Sequence, residues 1–280
     1  MQLRLLFILF VAGYLFLLQP FSLYMQQRPV AVKLGYTPHP QILKISAADH
    51  NLVVAEAMLL NVLFYYGTLI ENFQENIIVR PEYLNMYQTL QAASILDPYN
   101  QDNYYFAQAA FTWELGRVEE VNALLKRGAE SRTWDPWLPF YIGFNYAYFL
   151  KDFQAAAPYM KMAAERSGNP LFTRLAARYF YESENTDLGL LFLNTMIDQA
   201  KDKTVKLTYT IRRDALVAIK RIESAVEKFK AEFGVMPETI AVLVAKGYLD
   251  EAPVDPYGGE FYFDEAGRTR TTSKLAAPDM

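Results

Sequence analysis

The sequence predicts a mostly α-helical chain: an N-terminal transmembrane helix, an α-solenoid of paired helices, then one long helix and a short C-terminal β-hairpin. Three observations predict it. Residues 3–25 form an apolar run with no charge between Leu5 and Leu18, and the run reaches the ~20 residues a spanning helix requires. Asp97-Pro98, Asp135-Pro136 and Asn169-Pro170 punctuate the middle at spacings of 38 and 34, within the range of helical repeats. Beyond them, residues 206–233 carry Leu216, Ile219, Ile222, Val226 and Phe229 at helical spacing, and two alternating segments follow.

Taken in order, the first element reads as an uncleaved anchor. Arg4 supplies a charged start, but Gln19 to Met25 offers no small-x-small site for a signal peptidase. Residues 26–45 contain Pro29, Gly35, Pro38 and Pro40 and read as an extended linker. A helix resumes with Ser46 as N-cap and runs to Gly67. His39 falls in the linker and His50 in the first turn of that helix, both as solvated or capping side chains. Between the proline marks lie helical pairs: 103–115 with 118–127, divided at Gly116; 137–150 with 153–166, divided at Lys151-Asp152; and 171–182 with 188–200. The long helix stops at Gly234. Met236-Pro237-Glu238-Thr239 starts a short helix that Lys246-Gly247 ends, and residues 260–263 and 268–273 alternate as strands around the turn 264–267. A lone hairpin is marginal, so it is expected to pack on the long helix. The domain reading is therefore 1–25 anchor, 26–45 linker, 46–204 helical repeats and 205–280 helix with hairpin.

Composition excludes several functions. Zero cysteines remove disulfides, thiolate metal sites and cysteine nucleophiles, and two histidines leave little for a catalytic triad or a histidine metal cluster. A net charge of -4 with short, mixed basic runs argues against nucleic acid as a partner. Phosphate-binding, dinucleotide, zinc-protease and serine-hydrolase motifs are all missing from the sequence.

The paired helices carry small and aromatic residues at set places. Ile142-Gly143 with Tyr146, then Ala155 and Tyr159, and a closing Pro170 make one unit. Ala109, Val121, Leu125 and Gly128 hold the corresponding places in the unit before, and Leu90 and Ala93 in the one before that. These units resemble the tetratricopeptide repeat (TPR), with Pro170 falling three residues late; the resemblance covers about residues 82–200 and implies a TPR-like α-solenoid. Most of the aromatic run 137–149 is expected as core, since a stripe at helical spacing is usually buried. The TPR pattern nevertheless implies that Trp137, Phe140, Phe144 and Tyr148 line a concave, partner-binding groove, together with Asn103, Phe106, Trp113 and Glu114 of the preceding repeat.

The tail carries a second resemblance. Ala225-Val226-Glu227, Gly234, Pro237, Gly247-Tyr248-Leu249, Pro253, Asp255-Pro256, Gly258 and Tyr262 resemble the carboxy-terminal part of major pseudopilins of type II secretion. The processing site of a pilin is missing from the start, so the resemblance is to a module joined to a repeat protein. Charge counting around the anchor leans towards a cytoplasmic body, but the pseudopilin-like module implies the periplasm. Some members of that family bind calcium in this loop, which makes Asp255 and Asp264 calcium candidates among the acidic residues Asp250, Glu251, Asp255, Glu260, Asp264 and Glu265. The plain alternative is a solvated turn with Asp255 bonding its own backbone.

The expectation is a non-enzymatic, single-pass subunit of the bacterial inner membrane, with no cofactor and no small-molecule substrate. It binds partner proteins of an envelope machine: an ABC-type transporter, or a type IV pilus or type II secretion system. The alternatives are a pseudopilin-like filament component and an envelope enzyme using carboxylates.

Overall fold

The structure, a computed structural model, describes residues 2–27, 33–74, 81–114 and 116–275. It is mostly helical, with one small sheet. The elements are α1 (Gln2–Gln27), α2 (Pro40–Ala47), α3 (Asn51–Gln74), α4 (Tyr83–Leu96), α5 (Gln101–Phe106) continued by a π-helical segment (Ala107–Glu114), α6 (Val118–Ser131), α7 (Trp137–Tyr148), α8 (Phe153–Ser167), α9 (Pro170–Glu182), α10 (Thr186–Gln199), α11 (Lys203–Phe233), α12 (Ile240–Ala245), β1 (Phe261–Phe263) and β2 (Thr269–Thr271). The predicted end of the first repeat helix, Leu115, lies outside the described residues.

The three proline marks share one local chemistry. Each acidic or amide side chain accepts a hydrogen bond from the backbone two residues on: Asp97 Oδ1 from Tyr99 N, Asp135 Oδ1 from Trp137 N, Asn169 Oδ1 from Leu171 N, at 3.0, 2.8 and 2.9 Å. The turn is thereby held by the residue before proline, and the proline cannot prolong the preceding helix. Asn100, Asp152 and Asp202 cap α5, α8 and α11 through side-chain oxygens. Gly234, at φ 70°, ends α11 in the left-handed region that glycine enters without steric cost.

The linker reading of residues 26–45 needs correction. Pro40 opens α2 because the first helical position needs no N–H and favours proline's fixed φ. His39 caps this helix, its Nδ1 accepting from Gln41 N at 3.4 Å. Ser46 is no N-cap either: it lies inside α2, where its hydroxyl donates to the carbonyls of Ile42 and Leu43. Helix α3 then begins after a break at Ala48, which has a positive φ.

Helices α3 to α11 pack mainly on their neighbours along the chain: α3 with α4, α6 with α7, then α7 through α11 pair by pair, with α4–α6 and α9–α11 contacts between next neighbours. Two glycines permit close approaches between these helices. A Cβ on Gly143 would stand 3.1 Å from the Ala156 carbonyl and the Met160 amide of α8, and one on Gly128 would stand 2.7 Å from the Tyr104 ring. Fully buried side chains fill the layers, among them Leu90, Tyr104, Leu125, Ile142, Met160 and Leu193.

Strands β1 and β2 pair antiparallel with Tyr262 opposite Arg270, and β2 lies against α11. The hairpin is fastened by polar clasps as well as by Phe261 and Phe263. Tyr181 donates from its hydroxyl to Thr269 O at 2.8 Å, and Arg270 pairs with Glu182 at 2.9 Å and with Asp264 at 3.2 Å. Arg212, buried on α11, donates to the carbonyls of Arg174 and Leu275 and lies over the Tyr257 ring. Its partners are carbonyls and a ring rather than a carboxylate, its Nε has none among the described residues, and burial lowers its pKa.

Candidate functional site

Helix α7 has two unlike faces. Leu138, Ile142, Gly143, Asn145 and Ala147 point inward and are buried, while Trp137, Phe140, Phe144 and Tyr148 follow one another at 3–4 residue spacing on the other side. The rings touch in series. Trp137 meets Phe140 edge-on at 5.7 Å, Phe140 meets Phe144 at 6.1 Å, and Phe144 stacks on Tyr148 at 5.1 Å. Trp113 joins from the π-helical segment, 6.1 Å from Phe144, 5.7 Å from Tyr148 and 4.9 Å from Phe149. From the other side Phe172 of α9 stacks on Phe140 at 4.7 Å. Such ring pairs contribute ~0.5–1.5 kcal/mol each beyond their area burial, which holds the patch in one arrangement. It is still open: Trp113 is 56% exposed, Tyr148 51% and Trp137 47%. Lys151 places its ammonium 5.2 Å from the Tyr148 ring centroid, a basic group at one end of the patch.

Within the helical layer lies a buried polar seam. Asn145 and Gln108 exchange amide hydrogen bonds in both directions at 2.8 and 2.9 Å, and Asn145 also donates to Asn122 Oδ1 at 2.8 Å. All three amides are buried, and they tie the π-helical segment, α6 and α7 together. Each bond is worth only ~1 kcal/mol net, but an amide left without its partner here costs ~1–3 kcal/mol. The seam therefore fixes the register of α7, and with it the side on which the rings emerge.

Of the eight groove residues expected from the sequence, the structure brings five into this patch: Trp113, Trp137, Phe140, Phe144 and Tyr148. Asn103 is buried and donates to Leu90 O of α4 at 3.0 Å. Phe106 packs edge-on against Tyr66 of α3 at 5.4 Å, away from the patch. The side chain of Glu114 lies outside the described residues. Phe149 and Phe172 belong to the patch and were not among the expected residues. Phe149 follows Tyr148 immediately, and its place depends on the helix ending there. The sequence also gave no sign of the second exposed ring pair, Tyr99 stacked on Trp134 at 6.0 Å with Arg132 over the indole.

The two calcium candidates are occupied by protein donors. Asp255 accepts from Thr271 and Ser273 hydroxyls and from Tyr257 N, and Asp264 accepts from Arg268 and Arg270 and from two backbone amides. Asp255 bonding its own backbone is the turn chemistry the sequence allowed as an alternative. Among the described residues no three histidine, cysteine, aspartate or glutamate side chains are grouped to hold a metal ion.

Comparison with protein-family models, with curated proteins and with solved structures finds no match to this chain.

Proposed function

We propose that this chain is a non-enzymatic docking subunit, held at a bacterial inner membrane by α1, whose helical body binds a partner protein through the aromatic face of α7. The observation that carries the reading is the ring series from Trp137 to Tyr148, with Trp137, Tyr148 and the adjoining Trp113 exposed and Phe140 and Phe144 half-buried between them. Exposed aromatics that hold each other in place lose little further freedom on binding, and such residues dominate interface energies. On this reading the helical pairs form a TPR-like solenoid, which the shared Asx-Pro turns, the glycine approaches and the neighbour-to-neighbour packing support. The tail is read as a pseudopilin-like module and the body as periplasmic, serving an envelope machine for transport, pilus assembly or secretion.

A single experiment tests it. Trp113→Ala and Tyr148→Ala proteins are expected to stay folded, losing only the stability of the ring pairs removed, while losing ~2 kcal/mol or more of affinity for the protein that co-purifies from detergent-solubilised membranes. Retention of that protein by both variants, at unchanged yield, would refute the docking role of this face.

A further inference from the structure

Helix α3 also shows the solvent an apolar face, of a different kind. Its inner side is committed: Leu59, Val62 and Tyr65 enter the core beside Met86, Leu90 and Tyr104, and Ala55 packs with Ala93 and Leu96. Its outer side carries Val53, Ala57, Leu60 and Phe64 at spacings of four, three and four, flanked by Leu52 and Leu63, all exposed, with Val53 at 66% and Phe64 at 72%. No formal charge occurs from Ala57 to Ile70. The segment Pro40–Glu71 is long and apolar enough to cross a membrane. Crossing, however, would drag α4 and the Asn100 turn into hydrocarbon, because Tyr65 Oη accepts from Glu82 N at 2.8 Å and Glu56 accepts from Asn100 Nδ2 at 2.7 Å.

We infer that α3 is an interfacial helix, lying in the plane of a lipid surface with Val53, Ala57, Leu60 and Phe64 among the acyl chains. A helix with one face bonded to a polar body and the other lined by exposed apolar side chains, with Glu56 and Glu71 at either end, fits that position, and spanning does not. The chain outside the described structure agrees. Only residues 28–32 separate Gln27, the end of α1, from Lys33, and this stretch reaches at most about 22 Å at ~3.6 Å per residue. The extended residues 33–39 then lead into α2. Every described side chain of α1 is exposed, so the surface that takes up α1 lies within that tether of Lys33, whose neighbour Leu34 packs on the cluster holding Leu59 and Val62 of α3. This last step rests on α1 being the anchor proposed above. Glu56, exposed and one turn from both Val53 and Leu60, accepts from Asn100 Nδ2 at 2.7 Å, which ties its carboxylate to the Asn100 turn.

The absence of cysteine allows a direct test on the full chain. Leu60→Cys and Phe64→Cys, each carrying an environment-sensitive fluorophore, are reconstituted into phosphatidylcholine vesicles with and without nitroxide-labelled lipid. Glu119→Cys, on an exposed position of α6, is the control. Both α3 labels are expected to be quenched by the nitroxide lipid several-fold more than the control, with little dependence on salt because phosphatidylcholine carries no net charge. Protein that floats with the vesicles but whose α3 labels are quenched no more than the control overturns the inference and leaves the α1 anchor standing. Labels shielded from water yet not quenched, with shielding lost on dilution, overturn it in favour of a second copy covering the face. Failure of the chain to float at all removes both the anchor and the interfacial helix.

Discussion

Helices α3 and α7 are built alike on the inside and differently on the outside. Both bury a stripe of aliphatic and small residues against the next helix, Ala55, Leu59 and Val62 in one and Leu138, Ile142 and Ala147 in the other. Outside, α7 offers rings that touch one another and carry a basic group at one end, whereas α3 offers mainly aliphatic side chains with a single ring, Phe64. Rings in mutual contact make a shaped surface with directional polar edges, which suits a folded protein. Isolated aliphatic side chains have no shape to match and suit a fluid one. The lesson is that exposure of apolar residues is not one signal: what the neighbouring side chains do decides what the surface can hold.

The contrast between inner and outer faces gives the largest expected effect. Ile142→Ala is expected to destabilise the protein by ~2–5 kcal/mol in denaturant unfolding, because its side chain is wholly buried between α7 and its neighbours. A cost no greater than that of Trp113→Ala would erase the distinction between the two faces of α7. Asn145→Ala should cost ~1–3 kcal/mol, since it removes the acceptor of Gln108 Nε2 and the donor to Asn122 Oδ1 in a buried layer. The same variant sharpens the docking reading: it should weaken partner binding although Asn145 is out of reach of any partner.

Alkaline pH probes the inner layer without mutation. Burial pushes the Tyr104 hydroxyl up to about 12. The folded state thus holds this proton more tightly than the unfolded chain, whose tyrosines ionise near 10. The stabilising contribution is complete below about pH 10 and is lost as pH rises towards about 12, a change on the order of 2 kcal/mol. Unfolding free energy measured across that window should fall, and Tyr104→Phe should flatten the fall. The smallest effect belongs to the outside of α3. Leu60→Lys and Phe64→Lys, at exposed positions, should each change stability by less than ~0.5 kcal/mol in detergent while reducing lipid quenching of a label at Val53→Cys. A large loss of stability would mean that the face is not free.

Much of the helical order was readable from residues 81 to 234. The Asx-Pro turns, the capping side chains and Gly234 act within two or three residues, so they announce element ends without knowledge of the fold. The hairpin was readable for the same reason: Asp264 organises its turn by bonding Ala266 N and Arg268 N. What failed to show were features set by tertiary context. Pro38-His39-Pro40 reads as linker until one knows that α2 packs on α4. The groove residues of the first repeat were transferred at constant helical register, but the segment Ala107–Glu114 is π-helical, with hydrogen bonds closing over five residues rather than four. That shift separates Asn103 and Phe106, placed before it, from Trp113, placed near its end. Only the last reaches the aromatic face.

The clasp between Arg212 and Leu275 sets a timetable. The guanidinium is made 63 residues before the carbonyl that receives it. At about 5–20 residues per second, that is roughly 3–13 s during which α11 can form but its buried cation has no acceptor at that end. Helices α3 to α10 have neighbours as soon as they emerge, whereas α11 must keep this side wet or guarded until the hairpin arrives. The closing step of assembly therefore belongs to the tail, and a ribosome stalled before residue 275 would hold a body whose repeats are packed and whose last layer is still ajar.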